Sequence, residues 1–194
     1  MTVRLPAVER RDQLLRVALT MFSSKGFHST SMNDVAEAAG VTKPVLYQHF
    51  ASKRQLFKEL LADEGDRLRN AIATETRGAS GPREQVERGM RAYFTWVAEN
   101  PEAFNLLFGG GSRRDSEFAA DVRSVEHAIA GSITELIQAD VDAEHRQVLA
   151  FGLVGLAEGA SRILVRDEQT FDPDVVARQL GELAWAGLRG IGRP

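Results

Sequence analysis

The 194-residue chain contains no cysteine, so disulfides, thiolate-bound metals and a thiol nucleophile are excluded. It also lacks a G-x-S-x-G nucleophile elbow, a phosphate-binding P-loop, a dinucleotide fingerprint and a zinc motif. The spacing of its four histidines, His28, His49, His127 and His145, is not that of metal ligands. We therefore expect no catalytic residues, no metal and no cofactor, and an enzyme is disfavoured.

Long apolar runs are missing as well. The N-terminal stretch MTVRLPAVERRDQLL has no hydrophobic region typical of a secretory signal peptide. No uninterrupted apolar run approaches the roughly 18 residues that a membrane span needs. Hydrophobic residues nevertheless make up 43% of the chain, which is enough for a buried core. We expect a soluble, cytoplasmic protein.

Alternating strand patterns flanked by turn residues are absent, and the hydrophobic periodicity is helical almost throughout. Pairs such as Asn100-Pro101 and Asp172-Pro173 are typical of helix starts. The sequence predicts an all-α chain of about nine helices. They are expected at about 7–24, 32–39, 43–49, 53 to the late seventies, from 82, from 101, 115–139, 143–166 and 173–190.

Charge is distributed unevenly, although the formal net charge is only -3. Residues 1–61 carry nine Lys/Arg against five Asp/Glu, and residues 62–194 carry fifteen against twenty-two. Binding to phosphates needs local positive charge rather than a basic protein overall. The split weakly favours a nucleic-acid-binding N-terminal part, and a chance asymmetry is the alternative.

The best-patterned segment covers residues 31–57, SMNDVAEAAGVTKPVLYQHFASKRQLF. Ser31 and Asp34 have the spacing of a capping box that starts a helix. Gly40 can take the left-handed backbone conformation that a tight turn between helices requires. The pattern of residues 31–50 therefore predicts a helix-turn-helix. The second helix of this motif enters the major groove of DNA.

Two further caps frame the second helix of this motif. Thr42 can cap its start, and Ser52 with Gln55 has a second capping-box spacing at the next helix. Lys53 and the free N–H groups of that next helix form a natural phosphate clamp. A solvated polar surface is the alternative for any single residue. The candidate DNA contacts are Ser31, Thr42, Lys43, Pro44, Tyr47, Gln48, His49 and Lys53.

Residues 8–61 resemble the N-terminal domain of the TetR family of transcriptional regulators. The matching motifs are Ala18-x-x-x-Phe22, Lys25-Gly26-Phe27, Thr30-Ser31-Met32, Val35-Ala36-x-Ala38-Ala39-Gly40-Val41, Leu46-Tyr47-x-His49-Phe50 and Lys53-x-x-Leu56-Phe57. The resemblance implies a DNA-binding domain at 8–61 and a helical ligand-binding and dimerisation domain at 62–194. It also implies a homodimer that usually represses, and that releases DNA when a small molecule binds. The family's contact roles carry over to Thr42, Lys43, Tyr47, His49 and Lys53, whereas Gln48 replaces an aromatic residue found in many members.

Aromatic side chains recur along the expected helices of the second domain, where they could line a pocket for a lipophilic or aromatic effector. Core packing is the alternative for most of them. Glu158 and Arg162, four residues apart, could add polar specificity to a cavity, but we favour a surface pair. The candidate ligand-binding residues are Tyr93, Phe94, Trp96, Phe104, Phe108, Phe118, His127, Phe151, Glu158 and Arg162.

Three glycines line one face of the helix expected at 143–166. Each costs roughly 1 kcal/mol of helix stability relative to alanine, so the face is expected to admit another helix closely. We predict that this helix comes from a partner subunit, because a palindromic operator needs two DNA-binding domains. A helix of the same chain is the alternative. The candidate dimer residues are Gly152, Gly155, Gly159, Val176, Leu180, Leu183 and Gly187.

The sequence thus predicts a ligand-responsive regulator, most simply a repressor, that binds double-stranded operator DNA as a homodimer and is released by a small hydrophobic effector. An activator of the same fold and a helical adapter that has lost DNA binding are the alternatives.

Overall fold

The computed structural model describes residues 5–109, 115–166 and 171–191. Within those ranges the chain forms nine α-helices and no β-strand, which confirms the all-α prediction. The helices are α1 (Ala7–Lys25), α2 (Met32–Ala38), α3 (Lys43–His49), α4 (Lys53–Thr76), α5 (Pro82–Glu99), α6 (Pro101–Phe108), α7 (Ala119–Leu136), α8 (Ala143–Arg166) and α9 (Pro173–Leu188).

These helices form two compact units, which we call the head and the body. The head comprises Met1–Glu64 and Glu102–Val122, and the body comprises Gly65–Pro101 and Arg123–Pro194. The sequence-based boundary after residue 61 leaves α6 and the start of α7 in the second domain, whereas the structure groups them with the head.

The core of the head is built on α1. Its Leu14, Ala18 and Phe22 recur every four residues and are at most 4% exposed, because this spacing places them on one side of the helix. Gly26 ends α1 in a left-handed conformation, with φ of 79°. The turn between α2 and α3 depends in the same way on Gly40, with φ of 65°, as its position in the sequence predicts.

A late segment of the chain completes this core. Phe118 is fully buried, and its ring centroid lies 4.5 Å from that of Phe27 and 4.4 Å from that of Phe57. Ion pairs flank the ring cluster: Lys58 Nζ lies 2.9 Å from an Asp121 carboxylate oxygen. Residues after α6 are therefore integral to the packing of the N-terminal helices.

In the body, α9 packs mainly against α5. Gly181 of α9 makes this approach possible, since a Cβ added there would already be in van der Waals contact with Met90. A second close approach joins α4 to α7, where Gly65 lies directly against Val125 and leaves no room for a side chain.

Helix α8 contains no uninterrupted apolar run of membrane-spanning length, as expected, but it is apolar enough on average to cross a membrane. Residues Ala143–Val165 meet that criterion by length and composition, although only 22% of the stretch is buried in the subunit. Charged and polar residues interrupt the apolar sequence of this stretch, but its mean hydropathy remains high. Most of this apolar helix is therefore exposed in the subunit, so packing in the core of the same subunit does not account for its composition.

Candidate DNA interface

A shallow groove of about 400 Å³ lies on the head beside α3. The connection between α1 and α2 forms one wall, and the start of α3 and of α4 supplies the rest. The groove brings together four of the eight predicted DNA contacts. Its lining residues are His28, Ser29, Thr30, Ser31, Met32, Asn33, Lys43, Tyr47 and Lys53.

The solvent-facing side of α3 carries most of the remaining candidates. Leu46 is fully buried and anchors the helix, while Tyr47 is 43% exposed. The Lys43 ammonium lies 5.9 Å from the centroid of the Tyr47 ring, so a positive charge and a phenol stand together at the mouth of the groove. Thr42, Pro44 and Gln48 are also exposed, and His49 is half-buried.

Ser31 begins α2 through the predicted capping box. Its hydroxyl accepts a hydrogen bond from the Asp34 N–H at 3.1 Å, and its own N–H donates to the Asp34 carboxylate at 2.8 Å. The hydrogen bond from the Ser31 N–H, and after it one from the Ser31 hydroxyl, lower the pKa of the Asp34 carboxyl.

The expectation that Thr42 caps α3 is wrong. Thr42 occupies the N-cap position with an extended backbone, but its side chain makes no capping hydrogen bond. Its carbonyl accepts the first bonds of the helix instead, from the N–H groups of Val45 and Leu46. An exposed hydroxyl is thereby left at the N-terminal end of α3.

At the start of α4, the second capping box forms in a displaced version. The Gln55 N–H donates to the Ser52 hydroxyl at 3.1 Å, as predicted. The Gln55 side chain, however, accepts from Ala51, one residue before the cap, at 2.9 Å. The start of α4 is fixed in either case.

Lys53 lies in the floor of the groove and is half-buried. Its ammonium donates hydrogen bonds to the carbonyl oxygens of Phe27 and Thr30, each at 2.8 Å. It also lies 4.2 Å from the centroid of the Phe27 ring. Of the predicted contacts that line the groove, this one is the most engaged with the protein itself.

Sequence reasoning did not assign five of the groove residues to DNA contact: His28, Ser29, Thr30, Met32 and Asn33. His28 Nε2 lies 2.8 Å from an Asp115 carboxylate oxygen, which fixes the ring at the edge of the groove. The run of hydroxyl residues before α2 could have suggested Ser29, whereas the partner of His28 is 87 residues away in sequence and gives no local signal.

The chemistry of this surface suits an anion. Ammonium, imidazole, hydroxyl and phenol groups converge on the groove, and it contains no carboxylate among its lining residues. Such groups donate hydrogen bonds to phosphate oxygens in protein–DNA complexes. Among the described residues, no three potential metal ligands cluster.

The predicted ligand-binding residues are divided between the two units. Phe104, Phe108 and Phe118 belong to the head and are at most 1% exposed. The remaining candidates belong to the body, where His127 stacks edge-on against Phe151 with centroids 5.0 Å apart. The body candidates are Tyr93, Phe94, Trp96, His127, Phe151, Glu158 and Arg162.

A polar cluster accompanies the body aromatics. Burial raises the pKa of the Tyr93 hydroxyl, an effect that the neighbouring Ser161 hydroxyl moderates. No described residue hydrogen-bonds the Tyr93 hydroxyl within normal geometry. Glu158, 8% exposed, pairs with the half-exposed Arg162 as their spacing indicates, but the pair is partly buried rather than on the surface.

The glycine face of α8 is open. A Cβ built on Gly152, Gly155 or Gly159 meets no described atom within 4 Å. The alternative that these glycines admit another helix of the same chain is therefore wrong for the described residues. Exposed apolar side chains continue this face and lie on α9 as well: Val148 and Ile163 are each 63% exposed and Leu183 is 57% exposed. Val176 and Leu180 are half-buried, and Gly187 is also open.

Comparison with known families covers both units. Residues 14–60 match the family described as bacterial regulatory proteins, tetR family. Residues 82–187 match the tetracyclin repressor-like C-terminal domain. The chain belongs to the TetR family of transcriptional regulators. It is thus a DNA-binding, helix-turn-helix protein of transcription regulation.

Two curated relatives of this TetR-family chain come from Mycolicibacterium smegmatis. The HTH-type transcriptional activator FasR is 30% identical over 190 residues, covering 97% of this chain and 87% of FasR. The HTH-type transcriptional repressor KstR2 is 27% identical over 181 residues, covering 93% and 78%. The relatives that match most of this chain therefore include both a transcriptional activator and a transcriptional repressor.

A solved structure shares the fold at low sequence identity. FadR from Bacillus subtilis, determined in complex with stearoyl-CoA, superimposes with a TM-score of 0.77 at 14% identity, covering 93% of this chain and 98% of FadR.

Proposed function

We propose that this TetR-family regulator binds a palindromic operator as a homodimer, represses transcription, and releases DNA when a small lipophilic effector binds the body. The operator contacts are the exposed side of α3 and the adjoining groove. The observation that carries the proposal is the pairing of Lys43 with Tyr47 at the mouth of a groove lined by hydrogen-bond donors.

Residues of the groove and of α3 divide by role. Lys43 and Gln48 have the reach and donors to read base edges. Ser31, Thr42, Tyr47 and His49 present hydroxyl or ring N–H groups suited to phosphates, and Pro44 shapes the first turn of α3.

The operator contacts are tested with a double variant, Lys43→Ala with Tyr47→Ala. Each lost contact costs about 1–3 kcal/mol, and the dimer loses each twice, so affinity for the DNA flanking the gene should fall at least roughly 100-fold. Thermal stability should change little, since both side chains are exposed. Lys58→Ala is the control, because Lys58 lies outside the groove and pairs with Asp121. Wild-type affinity in the double variant would refute the assigned contacts.

Dimerisation is supported by the open face of α8 and by the exposed Leu183 of α9. Two copies of these helices would bury each other's apolar surface, which also accounts for the membrane-like composition of α8. The protein is then cytoplasmic, as soluble DNA-binding regulators are.

A lipophilic effector is supported by the buried aromatic residues of the body and by FadR, which binds stearoyl-CoA on the same fold. The buried Tyr93 hydroxyl offers a hydrogen-bond donor for a polar group on such a molecule. A thermal-shift screen of acyl esters and hydrophobic metabolites, followed by operator release, identifies the effector.

Activation is the second candidate function, and the similarity to FasR favours it. A promoter–reporter fusion distinguishes repression from activation. Deletion of the gene raises expression from the operator-bearing promoter if the protein is a repressor, and lowers it if the protein is an activator.

A further inference from the structure

The Tyr93 hydroxyl is a buried polar group without a hydrogen-bond partner among the described residues. Tyr93 lies on α5 and is 6% exposed, and its ring packs edge-on against that of Phe94, with centroids 5.1 Å apart. A buried hydroxyl without a partner destabilises a folded protein, so its presence calls for an explanation. A bound molecule that accepts a hydrogen bond would supply the partner.

Three polar side chains of α8 lie close enough to affect this hydroxyl: those of Ser161, Glu158 and Arg162. Ser161 is fully buried, and its own hydroxyl already donates to the Ala157 carbonyl at 3.0 Å. Glu158 is 8% exposed and pairs with the half-exposed Arg162. The cluster therefore extends from the buried Tyr93 hydroxyl to a guanidinium at the surface of the body.

The charges of this cluster indicate which group the hydroxyl can bind. Burial, the largest cause, raises the pKa of the Tyr93 hydroxyl, the Ser161 hydroxyl lowers it, and Glu158 raises it by more than Arg162 lowers it. The phenol therefore stays a neutral donor in surroundings of net negative character. A ligand carboxylate would be repelled there, and a ligand ammonium has no lone pair to accept a hydrogen bond.

We propose that the Tyr93 hydroxyl donates a hydrogen bond to an uncharged carbonyl group of the effector, such as that of an ester, thioester or ketone, and that Glu158 disfavours free carboxylates. The proposal rests on the effector site proposed above and names the chemistry that this site selects. The apolar part of the molecule packs against buried aromatic side chains next to Tyr93 on α5, those of Phe94 and Trp96.

Matched ligands test the chemical class. The probes are methyl esters from hexanoate to dodecanoate, each compared with the carboxylate and the alkane of the same chain length. In calorimetric titration of the full-length protein, the best ester should bind at least about tenfold more tightly than either comparison compound, because the alkane leaves the hydroxyl unpaired and the carboxylate meets a like charge. Failure of every ester to bind, or tighter binding of the carboxylate, would overturn the proposal.

The variant Tyr93→Phe removes the hydroxyl and keeps the ring. Its affinity for the ester should fall about tenfold, whereas its affinity for the alkane should stay within about twofold of wild type or rise. The free variant should unfold at the wild-type temperature or up to about 4 °C higher, because phenylalanine buries no unpaired hydroxyl. A purely structural role of the hydroxyl predicts the opposite change in stability. Unchanged ester affinity, or a lower unfolding temperature, contradicts the assignment.

Thr76→Val is the matched control. Thr76 is a buried hydroxyl residue of the body, 5% exposed, but its hydroxyl donates to the Ile72 carbonyl at 2.8 Å. Loss of this satisfied hydroxyl should leave ester affinity within about twofold of wild type. A loss as large as that in Tyr93→Phe would show that ester binding does not depend on Tyr93 specifically.

Glu158→Gln tests the exclusion of carboxylates. With the negative charge removed and Arg162 retained, affinity for the carboxylate should rise at least about tenfold, and affinity for the ester should stay within about threefold. An unchanged preference for the ester would show that Glu158 does not set it. The comparison of ester and carboxylate on the wild-type protein tests the same preference if this variant does not fold.

Failure of the effector role gives a different pattern. If an ester binds through Tyr93 but does not release the operator, the effector role proposed above fails and the carbonyl site stands. If another lipophilic compound releases the operator and no ester binds, only the carbonyl assignment fails.

Discussion

Single side chains in this protein frequently stabilise backbone groups at helix ends. Ser31 and Asp34 satisfy each other's N–H groups at α2, and the Thr30 hydroxyl donates to carbonyl oxygens of Met21 and Gly26 at the end of α1. Short polar side chains are effective here because helix termini leave backbone groups without partners. The surface proposed to contact DNA is therefore shaped by side chains that bond to the protein's own backbone.

Glu84 gives this type of interaction a pH dependence. It accepts hydrogen bonds from the Ser80 hydroxyl at 2.5 Å, the Ser80 N–H at 2.6 Å and the Arg88 guanidinium. These bonds, foremost that of the Ser80 hydroxyl, lower the pKa of Glu84 from 4.5 to about 2. Because the pKa is lower in the folded state, the stabilisation is present above pH 4.5 and is lost as pH falls toward 2.

We expect Glu84→Gln to be less stable than wild type at pH 7, with the difference vanishing near pH 2. Urea unfolding at a series of pH values measures this. Glu87→Gln is the control, since Glu87 forms only an exposed pair with Arg83 among the described contacts. A difference that stays constant from pH 7 to pH 2 would show that Glu84 does not titrate as described.

At the residue level, most local signals were read correctly, and long-range contacts were not predicted. The Ser31–Asp34 box and the left-handed Gly40 follow from the identity and spacing of neighbouring residues. The Thr42 cap is a local prediction that failed, because the side chain makes no bond to α3 although the residue occupies the N-cap position. The bonds of Lys53 to the Phe27 and Thr30 carbonyls join residues far apart in sequence, so spacing could not reveal them.

Helix α8 carries an apolar face that no described part of its own subunit covers. Val148, Gly152, Gly155, Gly159 and Ile163 recur at intervals of three to four residues, which places them on one side of the helix. The structure leaves this side open, as expected for a surface that receives a second helix.

A charge on this face should therefore separate subunits. Gly155→Arg should give a monomer by light scattering and weaken operator binding strongly, because two linked heads bind far more tightly than one. Gly131→Arg is a matched control: Gly131 is also an exposed glycine inside a helix, on α7, with open space beyond it. Arginine has a higher helix propensity than glycine, so both variants should fold. A dimeric Gly155→Arg protein would contradict the assignment.

Helix positions were predictable to within a few residues, because each helix carries its own start signals and periodicity. The bounds of α2 and α3 match the expectation closely, and the expected start of α7 at 115 moves to Ala119. Membership of α6 in the head was not predictable, since the burial of Phe104 and Phe108 is equally consistent with a core or a ligand pocket until the packing partners are known.

On the scale of the whole molecule, the head is assembled from two separated stretches of chain. Phe118 joins them through its contacts with Phe27 and Phe57. Phe118→Ala should destabilise the head by about 3–5 kcal/mol, the usual cost of removing a buried ring, and should weaken DNA binding from a site far along the sequence. Urea unfolding and operator affinity measure the two effects.

The conservative variant Phe118→Leu serves as the control, with an expected cost of roughly 1.5 kcal/mol or less, since it keeps most of the apolar volume. Equal unfolding midpoints for wild type and Phe118→Ala would show that the ring cluster contributes nothing to the head.

The discontinuous head also constrains how the protein is made. During translation, the first part of the head, up to Glu64, is synthesised before Phe118 and Val122, so its aromatic core stays incomplete until they are added. A nascent chain that stalls before residue 122 cannot close that core. The helix-turn-helix is consequently not expected to fold stably when it is removed from the rest of the chain. Fusion proteins that contain only about the first sixty residues should have the motif but lack the packing that stabilises it.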